Sequence, residues 1–165
     1  MKSHRRKRRK AEPGEFQDPL SNYNPPEYDD NLERALTEAT VGDMQITPFM
    51  EVSADTTVQE AVQMMEQDQI ACLMVVKDQR LIGVFSERDV LNKVAAQHEQ
   101  VKSRPIRDLM TPDPQTVYET DSPAKALNLM AVGGFRHIPV LGVDDRPTGI
   151  LGPKRTTAFL QEHFE

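Results

Sequence analysis

Residues 52–65, VSADTTVQEAVQMM, align without a gap on residues 117–130, VYETDSPAKALNLM, at an offset of 65. The match begins earlier, with VGDM (41–44) over IRDL (106–109), and runs on through IACLMVV over FRHIPVL. One extra residue in the second copy then moves the offset to 66, so that GVFSERD (83–89) falls on GILGPKR (149–155). A match sustained through several elements implies two copies of one supersecondary unit. A unit this small has a thin core for independent stability, so the two should stack and share one. Such packing leaves clefts between equivalent edges, where small ligands usually bind.

Each copy reads strand, helix, strand, strand, helix, which places the chain in the α/β class. In the first helix of copy one, Val58, Ala61, Val62 and Met65 share a face; copy two has Pro123, Ala126, Leu127 and Met130 there. Thr57 with Glu60 has the spacing of a capping box, and Ser122 before Pro123 puts an N-cap ahead of a proline at the first helical position. CLMVV and HIPVL are short apolar strands, KDQR and GVDDRPT are turns, and LIGVF and TGIL are third elements that run into helices. In copy one, VLNKVAAQH is expected to continue as a helix with Val90, Leu91, Val94 and Ala95 on one side. The repeats are expected over 39–98 and 110–165, with 99–109 as linker and start of the second copy. Residues 1–38 are expected to be a disordered basic and Pro-rich tail, although DNLERALTEA (30–39), at its end, has the apolar stripe Leu32, Ala35, Leu36 and Ala39 of a short helix.

Charge bounds the function. Of the 20 basic residues, 7 fall in MKSHRRKRRK at the start, which leaves 13 basic against 26 acidic side chains in the rest, a net of −13. So acidic a body does not suit a general nucleic-acid binder; nucleic-acid contact is expected only through residues 1–10. That segment and the Pro-rich, acidic residues 11–30 are expected to be disordered. No apolar run is long enough to span a bilayer, and the chain is expected to be cytoplasmic. Cys72, the single cysteine, reads as a buried hydrophobe, and the four histidines have no metal-ligand spacing. The sequence contains no Walker-type loop and no evident nucleophile–base pair, so it is not expected to be an enzyme.

Ser86 and Asp89 are the pair that carries chemistry. An ionised carboxylate only accepts hydrogen bonds, through two oxygens, and so can take a pair of adjacent hydroxyl donors. One turn apart at a helix start, both could face one cleft, where the helix N-terminus offers N–H groups to a phosphate. The same spacing also fits a capping box with no ligand at all. In copy two, Gly152 and Pro153 still make a helix start, without the hydroxyl and the carboxylate.

These features together resemble the CBS domain, named after cystathionine beta-synthase and found typically in tandem pairs. VGDM, IRDLMTPDPQTV, FRHIPVLGVDDRPTGIL and GVFSERDVL carry the resemblance, which covers about residues 40–162. It implies a pseudo-two-fold pair of three-stranded sheets with four main helices, a tendency to form homodimers, and regulatory binding of an adenosine-containing ligand. GVFSERD fits the family's pattern of Gly, apolar, any, Ser or Thr, any, any, Asp. The resemblance therefore implies that Asp89 holds ribose hydroxyls and Ser86 ribose or phosphate, with phosphates held by Arg136, His137 and Lys154. Val84, Pro114 and Pro139 are the expected walls for the base. AMP, ADP or ATP is expected ahead of S-adenosylmethionine or NAD, with no tightly bound cofactor, and occupancy would be passed to a separate regulated protein. The other cleft has Ala71, Cys72, Gly152 and Arg155 at the matching places. Arg155 is only a donor and cannot accept from a ribose, so that cleft is expected to be empty or to hold a different anion. Two other readings stay open, a ligand-free interaction or dimerisation module and nucleic-acid contact through the basic segment.

Overall fold

The computed structural model describes residue 24 and residues 26–164. The basic segment and most of the Pro-rich lead-in lie outside the described residues. Helix α1 (Asn31–Glu38) begins at Asp30, whose carboxylate accepts from the Glu33 N–H at 2.7 Å. Its buried Ala35 joins the core of the second repeat. Among the described residues no helix is long and apolar enough to cross a membrane.

Copy one runs β1 (Glu51–Ser53), α2 (Val58–Gln67), β2 (Cys72–Lys77) and β3 (Arg80–Ser86). The Thr57–Glu60 capping box forms as read, with the Glu60 carboxylate accepting from the Thr57 N–H at 2.9 Å. After β3 the chain departs from the expected regular helix. One α-helical turn, α3 (Glu87–Asp89), passes into a π-helical turn (Val90–Val94), a 3₁₀ turn (Ala95–Gln97) and α4 (His98–Val101). A π turn takes an extra residue and so shifts the phase of the helical residues beyond it. Val94 is buried, whereas Leu91 is 72% exposed and Ala95 is also exposed, so the four residues do not share one buried face.

Copy two runs β4 (Thr111–Pro112), β5 (Val117–Tyr118), α5 (Pro123–Gly133), β6 (Ile138–Leu141), β7 (Pro147–Leu151) and α6 (Pro153–Glu162). Ser122 caps α5 ahead of Pro123, and Gly134 ends it at φ +68°, a left-handed conformation that glycine adopts without strain. The first sheet has the order β1-β2-β3-β4 and the second β5-β6-β7. In both, the first pair is parallel and the next antiparallel.

Strand alternation divides the core into layers. Leu73, Val75 and Phe85 pack with Val58, Ala61 and Met65, and Ile138, Val140 and Leu151 pack with Ala126 and Phe159. On the opposite faces Cys72, Met74 and Val84 meet Ile150, which joins the two sheets.

The leading segment of each repeat crosses into the other. Ile106 and Leu109 fill the first core, while Val41, Met44 and Ile46 fill the second. The hydrogen bonds of the crossing are paired at the repeat offset. The Ile106 and Arg107 N–H groups donate to Thr56 and Ala54 carbonyls at 2.8 and 3.2 Å, and those of Val41 and Gly42 donate to Asp121 and Glu119 at 2.7 and 2.9 Å. The fourth strand of the first sheet is a product of this crossing, since β4 belongs to copy two but pairs with β3. The glycine that opens each twin motif makes the crossing possible. A Cβ on Gly83 would lie 2.5 Å from the Met110 sulfur and 3.0 Å from the Thr111 carbonyl, and a Cβ on Gly149 2.5 Å from the Ile46 Cβ.

Candidate functional site

Where β3 ends against the seam, a cavity of about 170 Å³ is lined by Ala71, Cys72, Val84, Ser86, Glu87, Arg88, Asp89, Thr111, Phe135, Arg136 and His137. Five of the eight residues expected at the site meet here, namely Val84, Ser86, Asp89, Arg136 and His137. Arg136 and His137 precede β6 rather than lie within it, so strand alternation does not separate them.

The other three lie elsewhere. Lys154 lines a second cavity, of about 410 Å³, together with Gly152, Arg155, Phe49, Asp68 and Gln69. Pro114 lines a shallow depression beside Arg80 and Asp145. Pro139 is buried in β6 opposite Ile150 and borders neither cavity. The cation that takes the place expected of Lys154 is Arg88. The two are one repeat offset apart, so each serves the cavity beside its own helix start. That correspondence was available in the alignment of GVFSERD on GILGPKR.

Asp89 is 4% exposed and uses every acceptor position it has. Its Oδ2 accepts from the Ser86 N–H at 2.9 Å and the Ser86 hydroxyl at 2.8 Å. Its Oδ1 accepts from Lys93 Nζ at 2.7 Å and the Thr111 hydroxyl at 3.0 Å. Burial opposes the charge, but the donors Lys93, Ser86 and Thr111 outweigh it and hold the carboxyl below the ordinary aspartate range. The capping reading of Ser-x-x-Asp is thus realised, since the box is complete. The same Lys93 Nζ donates to the Leu109 carbonyl at 2.7 Å, so the buried carboxylate is tied to the segment that crosses from copy two. Thr111 and Lys93 were not anticipated. Thr111 is 22 residues from Asp89, and only the crossing brings it near.

His137 lies half-buried between the two cavities and lines both. Burial is the main cause that holds its imidazole below the ordinary histidine value; Glu87 opposes this, while Arg136, Arg155 and Arg88 add to it. Its counterpart Cys72 is a buried thiol whose pKa is pushed up to about 12 by burial and by the Asp89 charge. The side chains around this pair differ in size between the two copies. Ser86 sits opposite the small Cys72 across the β2–β3 ladder. Gly152 faces His137, and a Cβ there would stand 3.0 Å from the imidazole Cδ2. A large residue on one strand end is matched by the absence of a side chain on the other.

Arg155, in place of Asp89, has a different role. Its guanidinium donates to the Ile150 carbonyl at 2.6 Å and to the carbonyls of Ile46 and Pro48 on the crossing segment. Much of its donor capacity is spent on the backbone. Among the described residues no group of His, Cys, Asp or Glu side chains could hold a metal ion.

The model of the CBS domain matches residues 41–96 and 106–155, two consecutive copies. The chain is 37% identical over 94 residues to the mitochondrial CBS domain-containing protein CBSX3 of Arabidopsis thaliana, covering 54% of this chain and 46% of that protein. It is 30% identical over 105 residues to CBSCBSPB1 of the same plant, covering 63% of this chain but 19% of that one. The chain thus spans less than half the length of either relative. Among solved structures, Arabidopsis CBSX2 in complex with AMP matches with a TM-score of 0.65 at 28% identity, over 75% of this chain and 97% of that one.

Proposed function

Since the chain belongs to the CBS domain family, we propose that it is a non-catalytic regulatory module that binds one adenosine-containing ligand, of the AMP, ADP or ATP class, in the cleft beside Ser86 and Asp89. The observation that carries this reading is the composition of that cleft. A buried, ionised carboxylate stands at a helix start, and Arg88, Arg136 and His137 line the same hollow. A carboxylate suits a ribose diol, and guanidinium groups suit phosphate. The AMP complex of CBSX2, a structural relative, supports the ligand class.

The hollow of about 170 Å³ is smaller than the roughly 300–1,000 Å³ usual for small-molecule sites. Phe135, 38% exposed on its rim after two glycines, is the side chain that would turn outward to admit a nucleotide. In the second cleft Arg155 holds backbone carbonyls where a diol acceptor would stand. That cleft would take an anion at Lys154 rather than a second nucleotide in the same mode. Occupancy would be passed to a separate regulated protein. Two copies of the chain would pair through the apolar surface of Val62, Met65, Ile70 and Leu91, and sizing in solution tests that pairing.

Isothermal titration with AMP, ADP, ATP, S-adenosylmethionine and NAD on wild type and Asp89→Ala tests the binding. A ligand at about 100 times its dissociation constant should stabilise the wild type by roughly 2.7 kcal/mol. In Asp89→Ala the same ligand concentration should give only about 0.4–1.4 kcal/mol. Two equivalent nucleotides per chain, or binding that ignores Asp89→Ala, would overturn the assignment.

A further inference from the structure

The four donors around Asp89 are not alike. The Ser86 N–H is part of the backbone, and Lys93 is a salt-bridge partner that also holds the Leu109 carbonyl. The other two, Ser86 Oγ and Thr111 Oγ1, are hydroxyls, one on each carboxylate oxygen. A carboxylate has about four acceptor positions, and all four are filled. A diol that is to be read by Asp89 therefore has to take positions already occupied, and hydroxyl rotors yield most readily.

We propose that Thr111 is an internal competitor for the ligand: its hydroxyl occupies the Asp89 position that a ribose hydroxyl would claim, so binding releases the crossing strand β4 from the carboxylate. This rests on the nucleotide reading above and adds to it the route by which occupancy reaches the seam. Thr111 belongs to copy two, lines the cavity and pairs with Val84 through β4. Its hydroxyl is the one hydroxyl donor to Asp89 that comes from the other repeat. When it lets go, a hydrogen bond between the repeats is broken. At the equivalent seam Arg155 donates straight to the carbonyls of Ile46 and Pro48. No carboxylate intervenes there, and a diol has nothing to displace. One seam responds to ligand and the other is fixed.

Competition and contact predict opposite signs. Thr111→Val keeps the shape, removes the hydroxyl and leaves an Asp89 acceptor position waiting. AMP affinity, by titration calorimetry, should then rise about two- to tenfold, the worth of one hydrogen bond, while Thr111→Ser stays at the wild-type value. By linkage, AMP should speed amide exchange over residues 109–113 in wild type and change it little in Thr111→Val. Weaker binding by Thr111→Val, with Asp89→Ala still weakening it strongly, would mean that Thr111 holds the ligand and would overturn this proposal while leaving the site intact. Absence of Asp89-dependent binding in wild type would instead overturn the nucleotide reading. Circular dichroism on both Thr111 variants shows that the fold is kept.

Discussion

The two ends of the seam solve one structural problem with opposite charges. Each repeat must hold the leading segment that arrives from its neighbour. In the first, an anion does this: Asp89 gathers Lys93 and the Thr111 hydroxyl, and Lys93 reaches the Leu109 carbonyl. In the second, a cation does it directly, with Arg155 bonded to Ile46, Pro48 and Ile150 carbonyls. Lys93 has no charged counterpart; the buried Phe159 stands one offset away. The difference teaches that a segment arriving from the other repeat can be held either by a buried carboxylate that gathers donors or by a guanidinium that donates directly to backbone carbonyls.

The sharpest way to break this comparison is Asp89→Ala. Charge-assisted hydrogen bonds are worth about 1.5–3 kcal/mol, so nucleotide affinity should fall roughly tenfold to a hundredfold. Arg155→Met is the mirror experiment. It should lower unfolding free energy by about 1.5–3 kcal/mol in urea melts and leave AMP affinity near wild type. A large loss of affinity would show that the two clefts are not independent.

Next come the twin glycines. Gly149→Ala should destabilise by about 1–3 kcal/mol, because its Cβ meets the branched Cβ of Ile46, which cannot move aside. Gly83→Ala should cost less, since its nearest neighbour is the flexible Met110 thioether. Thermal melts that rank the two in the reverse order would show that the Thr111 carbonyl, and not side-chain stiffness, decides the cost.

The smallest effect separates Asp89 from His137 by pH. The folded Asp89 carboxyl lies below its ordinary value, so its contribution to stability is complete above about pH 4 and is lost as pH falls through the lowered value. His137 is held below its ordinary value too, but it is a base. The unfolded chain takes up its proton first, so stability declines as pH falls from about 6.5 toward the folded value. Urea titrations from about pH 7.5 to about pH 5, a range that brackets the ordinary histidine value, should show that decline in wild type and not in His137→Asn. Asp89→Asn should keep it.

Much of the candidate site's geometry was legible in the sequence because it lies in contiguous motifs. Ser86 and Asp89 are one turn apart, and Arg136 and His137 are neighbours, so local geometry brings each pair together. Arg88 was legible through the repeat offset from Lys154. Thr111 was not, because its approach to Asp89 depends on where a crossing segment lands. The π turn at Val90–Val94 escaped for a related reason: apolar spacing in VLNKVAAQH fits an ordinary helix, and the choice is made only when the chain packs on the sheet.

By itself the sequence determined that two copies of one β-α-β-β-α unit exist, where their helices start, and that the hydroxyl and carboxylate belong to the first copy alone. Those properties follow from periodicity, capping and alignment, which act over a few residues or at one fixed offset. Only the tertiary structure decided which repeat each leading segment completes, that Asp89 spends all its acceptors on internal donors, and that Arg155 clasps backbone. Those outcomes depend on contacts between residues far apart in the chain. Buried polar groups there must find partners wherever the fold delivers them.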